Sequence, residues 1–420
     1  MLIKNIEKLA TNDVRRDALE ITEAGYDSIR IKNIIGKTLT FKNSRLEIKG
    51  HSYDITSYKN IFVLGVGKSS GLICAAIEDL IGAKNIKSGA TIDLKHRKLS
   101  KIKVFAGSHP LPTKKNVLAT GKLISIAKSA GPKDLVITVI CGGGSALACS
   151  PLLKNDYRSI QTVYKAMMLK GAKIDELNTV RKHLDKFHGG FLASYLYPAT
   201  VLGLIISDIP GNEIDMVASG PTSLDKSNLD DAKKILKKYS LEDIRLTKNP
   251  TDPKYFKKVN NIMLAGGTTT LEAMQKKSAE LGYKPAIFSK NLQGLASEIG
   301  PKLAETVKPG EALLACGETT VIVKKPGKGG RNQDLALSAL PYLKKDSAIV
   351  SAASDGKDNI DVAGGITDSN SYLETLGKID PAKAVSNNES FDTLRKINGI
   401  FHINKVTANV SDFIVVLRKE

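Results

Sequence analysis

The sequence predicts an α/β protein of two domains, the first of which is built on a mostly parallel sheet. Short apolar runs with the length of strands alternate with longer stretches of helical period, and this alternation is typical of βαβ units. The chain has 420 residues, too many for one ordinary hydrophobic core, so two domains are expected. Residues 240–260 interrupt the alternation with two prolines and several charges, and this segment is the predicted domain edge.

Each element is predicted from its apolar period and from the glycines at its ends. The predicted strands are residues 60–67, 103–107, 135–140, 201–207, 261–267, 312–323 (two runs around a Gly-Glu-Thr turn), 349–354 and 413–417. The predicted helices are residues 3–23, 69–82, 116–130, 159–172, 269–281 and 334–343. Several strands end in glycines or charged residues, and ligands of open α/β sheets bind outside the carboxyl ends of the strands.

The formal net charge of +19 allows two interpretations. One is a nucleic-acid-binding protein, since basic surfaces bind phosphate backbones. The other is a lysine-rich solvated surface, which is favoured because the lysines are dispersed among acidic residues rather than grouped in blocks. Aromatic residues make up 5% of the chain and tryptophan is absent, which leaves few platforms for stacking bases. We therefore expect no nucleic-acid partner, and we expect the positive charge to attract anionic substrates.

Targeting and redox signals are absent from the sequence. It contains no signal-peptide pattern and no apolar run long enough to span a bilayer, so no membrane partner is expected. The four cysteines form no Cys-x-x-Cys pair and no zinc-ligand spacing with histidine. A reduced, cytoplasmic protein is predicted. These features do not fix the oligomeric state, and a homo-oligomer is compatible with them.

Glycine turns follow two of the predicted strands, and the first is GVGKSS at residues 65–70. It does not complete a P-loop, because that motif needs a glycine where Phe62 stands. A glycine turn that leads into a helix still offers free backbone N–H groups to an anion, with Lys68 beside that anion. The alternative is a tight turn with a surface lysine.

The second glycine turn is CGGGSAL at residues 141–147. Three consecutive glycines allow positive φ angles and a close approach of the backbone to a ligand. This pattern favours a phosphate cradle formed by Gly142, Gly143, Gly144 and Ser145. The alternative is a simple strand-to-helix turn.

Carboxylates stand at two further strand ends. Asp208 follows the apolar run 201–207, where an unpaired carboxylate is costly and indicates a metal, a cation or a reacting hydroxyl. The alternative for Asp208 is a cap for the turn that follows. Asp355 follows the run 349–354, and Mg²⁺ binds one or two such carboxylates together with phosphate oxygens.

An arginine follows a glycine-rich loop that leaves the apolar run TTVIVKK at residues 319–325, which we predict as a buried strand. Gly329 and Gly330 precede Arg331 at a helix start, where a guanidinium and free N–H groups meet a phosphate in other proteins. The alternative is a mobile surface loop.

Taken together, these sequence motifs resemble those of the glycerate 2-kinase family, which has two domains and a C-terminal part called MOFRL. The matching words, in the family's order, are GVGKSS (65–70), HPLP (109–112), CGGGSAL (141–147), LNTVRKHL (177–184), SDIPGNEIDMVASGPTSLD (207–225), CGETTV (316–321), GKGGRNQDLAL (327–337) and SDGKDNIDVAGG (354–365). They cover most of residues 60–370. The resemblance implies a Rossmann-like α/β domain with a mostly parallel sheet at residues 1–240. It also implies a MOFRL-like α/β domain with a mixed sheet at residues 241–420.

The function that the resemblance implies is ATP-dependent phosphorylation of glycerate at its 2-hydroxyl, giving 2-phosphoglycerate. A kinase for another small hydroxy acid or sugar acid on the same scaffold is the alternative. The implied catalytic residues are Lys68, Asp208 and Arg331. The implied ATP contacts are Gly142, Gly143, Gly144, Ser145, Gly329 and Gly330. The implied substrate contacts are Asn178, Arg181 and His109, and the implied Mg²⁺ ligands are Asp208 and Asp355.

Two of the implied contacts have plainer alternatives, and several motifs depart from the family pattern, among them Cys141 and residues 356–359, 291–297 and 403–412. Arg181 suits a substrate carboxylate, but an ordinary basic helix also explains it. A histidine in a loop such as that of His109 is more often structural than catalytic. INKVTANVSD (403–412) lacks the glycines of the family motif TGPTGTNVND and keeps Thr407, Asn409 and Asp412.

Overall fold

The computed structural model of the chain describes residues 1–152, 157–209, 213–404 and 406–420. Residues 210–212 of the word 207–225 and residue 405 of the word 403–412 therefore lie outside the described residues. Contacts divide the chain into two compact units. We call residues Ile34–Ser207 and Glu213–Leu264 the parallel-sheet unit. Residues Met1–Asn33 and Ala265–Glu420, with Asp208 and Ile209, form the mixed-sheet unit.

The regular elements of the described residues are numbered here in chain order. The strands are β1 (Leu39–Lys42), β2 (Arg45–Ile48), β3 (His51–Asp54), β4 (Asn60–Val66), β5 (Ser88–Asp93), β6 (Ile102–Ala106), β7 (Asp134–Cys141), β8 (Thr200–Ile206), β9 (Val259–Ala265), β10 (Lys284–Leu292), β11 (Glu311–Gly317), β12 (Ser347–Ala352), β13 (Gly364–Asp368), β14 (Ile400–Phe401) and β15 (Asp412–Arg418). The α-helices are α1 (Ile6–Leu9), α2 (Asp13–Ser28), α3 (Ile31–Thr38), α4 (Ser70–Ile81), α5 (Lys114–Ser129), α6 (Gly144–Leu147), α7 (Tyr157–Leu169), α8 (Ile174–Leu184), α9 (Phe191–Leu196), α10 (Leu229–Lys238), α11 (Gly267–Glu280), α12 (Ala296–Thr306), α13 (Arg331–Ala339), α14 (Ser369–Thr375), α15 (Pro381–Ser386) and α16 (Ser390–Lys396).

The parallel-sheet unit contains the sheet that the sequence predicts. Its strand order is β6-β5-β4-β7-β8-β9, and the pairs from β6 to β8 are all parallel. Strands β4, β7 and β8 are buried along nearly their whole length, as expected for a parallel sheet covered on both faces. Val66 pairs with both Ile92 and Ile140, and Cys141 pairs with Ile206. The strands therefore end level, and the loops that follow them open at one edge.

Helix α8 is held in this unit by an apolar face at helical spacing. Leu177, Val180 and Leu184 are buried in one cluster with residues of α7 and α10, such as Met167 and Leu236. The pattern i, i+3, i+7 places these three leucine and valine side chains on one side of the helix. The helix therefore has a fixed rotation, and its polar residues lie on the remaining faces.

The sequence prediction missed several elements of this unit. The antiparallel sheet β1-β2-β3 has four-residue strands. Strands of that length carry too few apolar positions to show an alternation. Strand β5 was missed because its alternation is interrupted by glycine and threonine.

The mixed-sheet unit contains the second predicted sheet. Its strand order is β10-β11-β15-β12-β13-β14. Only the pair β10 and β11 is parallel among the described pairings, and the others are antiparallel. Strand β15 lies between β11 and β12 and is buried over most of its length. This confirms the mixed sheet that the resemblance implies.

The predicted buried strand at residues 319–325 is wrong. Strand β11 ends at Gly317, where a φ of +150° turns the chain away from the sheet. Only glycine fits there, because a methyl group would lie 2.2 Å from the carbonyl oxygen of Leu292. Beyond it, Val323 is 71% exposed and no strand is formed. The apolar run is therefore a surface segment, and periodicity alone did not distinguish the two.

The units also differ from the predicted division into residues 1–240 and 241–420. The first 33 residues pack on the mixed sheet rather than on the parallel sheet. The buried Arg15 guanidinium of α2 bonds Asp368 at 3.0 Å, and the Tyr26 hydroxyl donates to the Ala353 carbonyl at 2.9 Å. Such contacts over more than 300 residues of sequence are invisible to local patterns. Among the described residues, no helix has the length and apolar content needed to cross a bilayer.

Replacing Arg15 by methionine is expected to lower the free energy of unfolding by ~3–5 kcal/mol at pH 7, because Asp368 is left buried without its cation. Burial raises the pKa of Asp368, but its hydrogen bonds from Ser371 and the charge of Arg15 outweigh this and lower the pKa overall. The stabilisation is thus present above the unfolded pKa of ~3.9 and is lost as pH falls through the lower folded pKa.

Urea unfolding of wild type and Arg15→Met at pH 7 and pH 3 measures the effect, and the difference between the proteins should shrink at pH 3. Arg16→Met is the control, since the Arg16 side chain is 55% exposed and should change stability by less than ~0.5 kcal/mol. A loss equal to that of the control at pH 7 would contradict the stabilising role of the Arg15–Asp368 pair.

Candidate active site

The loop that carries Lys68 is joined to the second glycine loop. It follows β4, and Gly67 has a φ of +114°. A methyl group at Gly67 would lie 2.3 Å from the carbonyl oxygen of Cys141, so only glycine fits. The N–H of Lys68 donates to the carbonyl of Gly142 at 2.9 Å. This bond holds the backbone of the Lys68 loop beside Gly142, and Lys68 is half-buried there.

The start of helix α4 is occupied by a carboxylate of the same chain. Asp93, at the end of β5, accepts hydrogen bonds from the N–H groups of Ser69 at 3.2 Å and Gly71 at 2.9 Å. Burial raises the pKa of Asp93, and the bonds from backbone N–H groups counteract that rise. The expectation that these two amides are open to an external anion is wrong. Sequence reasoning missed Asp93, although an acidic residue at a strand end was a usable signal.

The glycine loop at residues 142–145 brings two predicted site residues together. Gly143 has a φ of +75°. A methyl group there would lie 3.2 Å from Nε2 of His109 and 3.2 Å from Cγ of Lys68. His109 and Lys68 therefore both lie beside Gly143, and the phosphate cradle stays a prediction.

A tight turn from a distant part of the chain covers the next glycine. A methyl group at Gly144 would lie 2.5 Å from Cβ of Ala218. Ser145, the following residue, shares a hydrogen bond of 2.8 Å with the hydroxyl of Ser219. Ser219 in turn donates to Oδ1 of Asn178 at 3.3 Å. The structure thus brings the predicted substrate residue Asn178 to the predicted phosphate loop.

Arg181 lies one turn after Asn178 on helix α8. The centre of its guanidinium is 4.6 Å from the centre of the Tyr164 ring, and its buried Nε has no hydrogen-bond partner among the described residues. Its neighbour Lys182 is instead buried in an ion pair with Asp225, with Nζ 3.1 Å from Oδ1. Arg181 therefore keeps hydrogen-bonding capacity, whereas Lys182 holds the fold.

In the mixed-sheet unit, Arg331 begins helix α13 between two carboxylates. Asp412 accepts from Nε at 2.5 Å and from Nη2 at 3.1 Å, and Glu318 lies 3.0 Å from Nη2. Burial lowers the pKa of Arg331, but the charges of Asp412 and Glu318 outweigh burial and raise it overall. The guanidinium is therefore charged and fixed in orientation. Asp412 belongs to the motif at residues 403–412. It is one of the residues that this motif keeps from the family, which was the sequence signal for a role of Asp412.

A second internal carboxylate occupies the start of helix α13. Asp358 accepts from the N–H groups of Asn332 at 3.2 Å and Gln333 at 2.9 Å. The expectation that these amides are free to meet a phosphate is therefore wrong. A methyl group at Gly330 would lie 2.4 Å from the Asp358 carboxylate, and one at Gly329 would lie 2.3 Å from the hydroxyl oxygen of a serine, Ser390. Close packing explains both glycines, and their nucleotide contact stays a prediction.

Asp208 and Asp355 both border the segment 407–411. Asn409 Nδ2 donates to Oδ2 of Asp208 at 3.0 Å. Asp355 follows Ser354, whose carbonyl accepts from the Thr407 hydroxyl at 2.8 Å. Both carboxylates are partly exposed. No group of three or more acidic, histidine or cysteine side chains in the described part of the chain could hold a metal alone, so metal binding by this pair stays a prediction.

A glycine loop beside a lysine at the ends of parallel strands, and an arginine at a helix start in the mixed-sheet unit, are typical of phosphate-handling α/β enzymes. Comparison with known proteins narrows this class. A model of a domain of unknown function, DUF4147, matches residues 17–249, and the MOFRL family model matches residues 311–412.

Individual relatives span nearly the whole chain. A glycerate 2-kinase of Pyrococcus horikoshii is 30% identical over 96% of this chain and 97% of its own length. A protein of Agrobacterium vitis, provisionally named a hydroxypyruvate reductase, is 32% identical over 84% of this chain and 86% of its own. A crystal structure of glycerate kinase from Thermotoga maritima superposes with a TM-score of 0.82 at 28% identity, covering 96% of this chain and 99% of that one. The chain therefore belongs to the glycerate 2-kinase family, and it is an enzyme of the kinase class.

Replacing Gly144 by alanine is expected to lower the free energy of unfolding by ~1–3 kcal/mol, because the new methyl group overlaps Ala218. Gly121→Ala is the matched control, since Gly121 lies inside α5 with open space around it. That control should gain ~0.5–1 kcal/mol from helix propensity. Both changes reduce the entropy of the unfolded chain equally, so urea unfolding of the two variants isolates the contact. Equal stability of the two variants would show that the turn at Ala218 does not press on the glycine loop.

Proposed function

We propose that the chain is an ATP-dependent kinase that phosphorylates glycerate at its 2-hydroxyl, giving 2-phosphoglycerate and ADP. The observation that carries this proposal is the joining of the Lys68 loop to the glycine loop 142–145 through the bond from Lys68 N–H to Gly142. A lysine fixed beside a glycine loop at strand ends suits the phosphates of a nucleotide. The glycerate kinases among the relatives supply the substrate class.

A reductase is the second activity that the relatives' names raise, and the local structure favours the kinase. A dinucleotide fingerprint needs a third glycine or alanine where Ser70 stands after Gly65 and Gly67. In such sites an acidic residue at the next strand end binds a ribose hydroxyl. Here that residue is Asp93, and its carboxylate is bonded to the backbone of residues 69 and 71.

Phosphoryl transfer depends mainly on positioning and on stabilising charge. In the proposed reaction, the 2-hydroxyl oxygen of glycerate forms a bond to the γ-phosphorus of ATP. The bond from that phosphorus to the oxygen bridging to the β-phosphate breaks, and ADP leaves with the electron pair. Lys68 and Arg331 stabilise the negative charge on the transferred group. The glycine loop 142–145 holds nucleotide phosphates.

Asp208 is the proposed base, which orients the 2-hydroxyl and accepts its proton. Its carboxylate is held by Asn409 at 3.0 Å and remains partly exposed. Asp355, which follows Ser354 beside the segment 407–411, would hold Mg²⁺ together with Asp208. Two carboxylates without a third fit Mg²⁺, which takes its other ligands from phosphates and water. When bound, Mg²⁺ supplies charge neutralisation of the phosphate oxygens.

The carboxylate of glycerate is assigned to Arg181, with Asn178 and His109 as hydrogen-bond partners. Support comes from the buried Nε of Arg181, which no described residue satisfies. An arginine binds a carboxylate with two parallel hydrogen bonds, so the Arg181 guanidinium would fix the orientation of glycerate. Another small hydroxy acid with the same carboxylate and 2-hydroxyl would meet the same groups.

The direct test is ADP release from ATP with glycerate, with and without Mg²⁺, followed by enolase, which consumes 2-phosphoglycerate directly. Lys68→Ala is expected to lower kcat by on the order of 10²–10³, as for the loss of one contact made in the transition state. The control Lys122→Ala, an exposed lysine of α5, should keep wild-type turnover.

The same protein should leave NADH unoxidised when hydroxypyruvate is supplied. Oxidation of NADH without ATP-dependent turnover would replace the kinase by the reductase. A panel of other hydroxy acids and sugar acids identifies the acceptor if glycerate is not phosphorylated.

Asp208→Asn is expected to abolish turnover while the melting temperature stays unchanged or rises. Asparagine keeps an oxygen that accepts the bond from Asn409, and it removes a partly buried charge that burial disfavours. If Asp208 serves as a cap instead, asparagine should preserve both turnover and stability, because it caps about as well as aspartate. Measuring kcat and melting temperature separates these cases, with Asp79→Asn on the exposed side of α4 as control. Turnover within a few-fold of wild type would rule out the catalytic role of Asp208.

A further inference from the structure

Ser219 connects the two predicted binding regions of the parallel-sheet unit. Its hydroxyl lies 2.8 Å from the hydroxyl of Ser145 and 3.3 Å from Oδ1 of Asn178. Ser219 is fully buried, and Asn178 is 3% exposed. Three distant segments of the chain therefore meet at one hydroxyl group, which lies between the glycine loop and helix α8.

The backbone at Ser219 is held in an unfavourable conformation. Ala218, Ser219 and Gly220 have φ angles of +50°, +55° and +59°, and residues with a Cβ atom seldom adopt the left-handed region. The carbonyl of Ser219 accepts from the N–H of Gly189 at 2.9 Å, which helps to fix the turn. Such strain persists where the surrounding structure imposes it, and it concentrates at functional sites.

The hydroxyl of Ser219 has one proton and two neighbouring acceptors. A serine hydroxyl donates once and accepts through its lone pairs. If the Ser219 hydroxyl donates to Asn178, the Ser145 hydroxyl donates to Ser219. If the proton points to Ser145, the proton of Ser145 becomes available to a ligand, and Oδ1 of Asn178 loses its donor.

We propose that Ser219 is a positioning residue that couples nucleotide binding to substrate binding by reversing this chain of hydrogen bonds. The inference rests on the proposed function, which assigns nucleotide phosphates to the loop of Ser145 and glycerate to Asn178. An anionic phosphate near Ser145 accepts a hydrogen bond from the Ser145 hydroxyl. The Ser219 hydroxyl then donates its hydrogen bond to Ser145 instead of to Asn178. Oδ1 of Asn178 then accepts a hydrogen bond from a hydroxyl of glycerate. Each ligand thereby strengthens the binding of the other.

The coupling is a ratio of dissociation constants. We measure Kd for glycerate by calorimetry with and without the non-hydrolysable analogue AMP-PNP and Mg²⁺, and Kd for AMP-PNP with and without glycerate. In wild type, each ligand should lower the Kd of the other by the same factor, about five-fold or more, because binding coupling is reciprocal. In Ser219→Ala the factor should fall to near one, since Asn178 lacks the donor whether or not the analogue is bound.

Two further variants separate coupling from a general loss of structure. Ser223→Ala removes a hydroxyl of the same stretch that accepts from Asn261 instead, and it should keep the wild-type coupling. Ser145→Ala removes the hydroxyl at the other end of this row of hydrogen bonds. It should therefore abolish the coupling, and it tests the proposal even if Ser219→Ala does not fold. Melting temperatures show whether each variant is folded.

The outcomes distinguish this inference from the proposed function. Wild type that phosphorylates glycerate but shows no coupling overturns the role of Ser219 alone. The same conclusion follows if Ser219→Ala, or Ser145→Ala when the former is unfolded, keeps the full factor. Wild type without ATP-dependent phosphorylation of glycerate overturns both proposals.

Discussion

Two internal carboxylates close the starts of the helices that follow the candidate catalytic loops. Asp93 bonds the first amides of α4, and Asp358 bonds those of α13. The first amides of a helix have no partner within it, and the positive end of the helix dipole favours a negative charge there. The loops that carry Lys68 and Arg331 are thereby fixed by the chain itself. The amides of Ser69 and Gly71, and those of Asn332 and Gln333, are therefore already satisfied by the chain.

The register of the parallel sheet determines which loops meet. Because Val66 pairs with Ile92 and Ile140, the strands β4, β5 and β7 end at one level. Lys68, Asp93 and the glycine loop therefore follow directly at the same edge. The prediction that strand ends carry the site depended on this property of parallel sheets, and the bond from Lys68 to Gly142 is its local consequence.

The sequence predicted what depends on local pattern, and it failed where distant contacts decide. Long buried strands such as β7 and β8, the helix at α4 and the glycine loop at residues 142–145 follow from periodicity and glycine content. The run at 319–325, exposed from residue 320 onwards, has the same apolar pattern, but Gly317 turns it out of the sheet. The packing of α2 on the mixed sheet depends on Asp368, and no local rule connects that residue with Arg15. Ser219 was likewise missed as a link, because its partners Ser145 and Asn178 lie 74 and 41 residues away.

The net charge of the chain says little about the charge at the candidate site. Although the chain carries a net charge of +19, Arg331 lies between two carboxylates that bind it with unequal strength. Asp412 grips it in two places and its side chain is 5% exposed, whereas the Glu318 side chain is 41% exposed. An exposed ion pair contributes ~0–1 kcal/mol, and breaking a buried pair costs ~3–5 kcal/mol. Of these two carboxylates, an anion that reaches Arg331 therefore displaces Glu318 more easily, while Asp412 keeps the guanidinium in place.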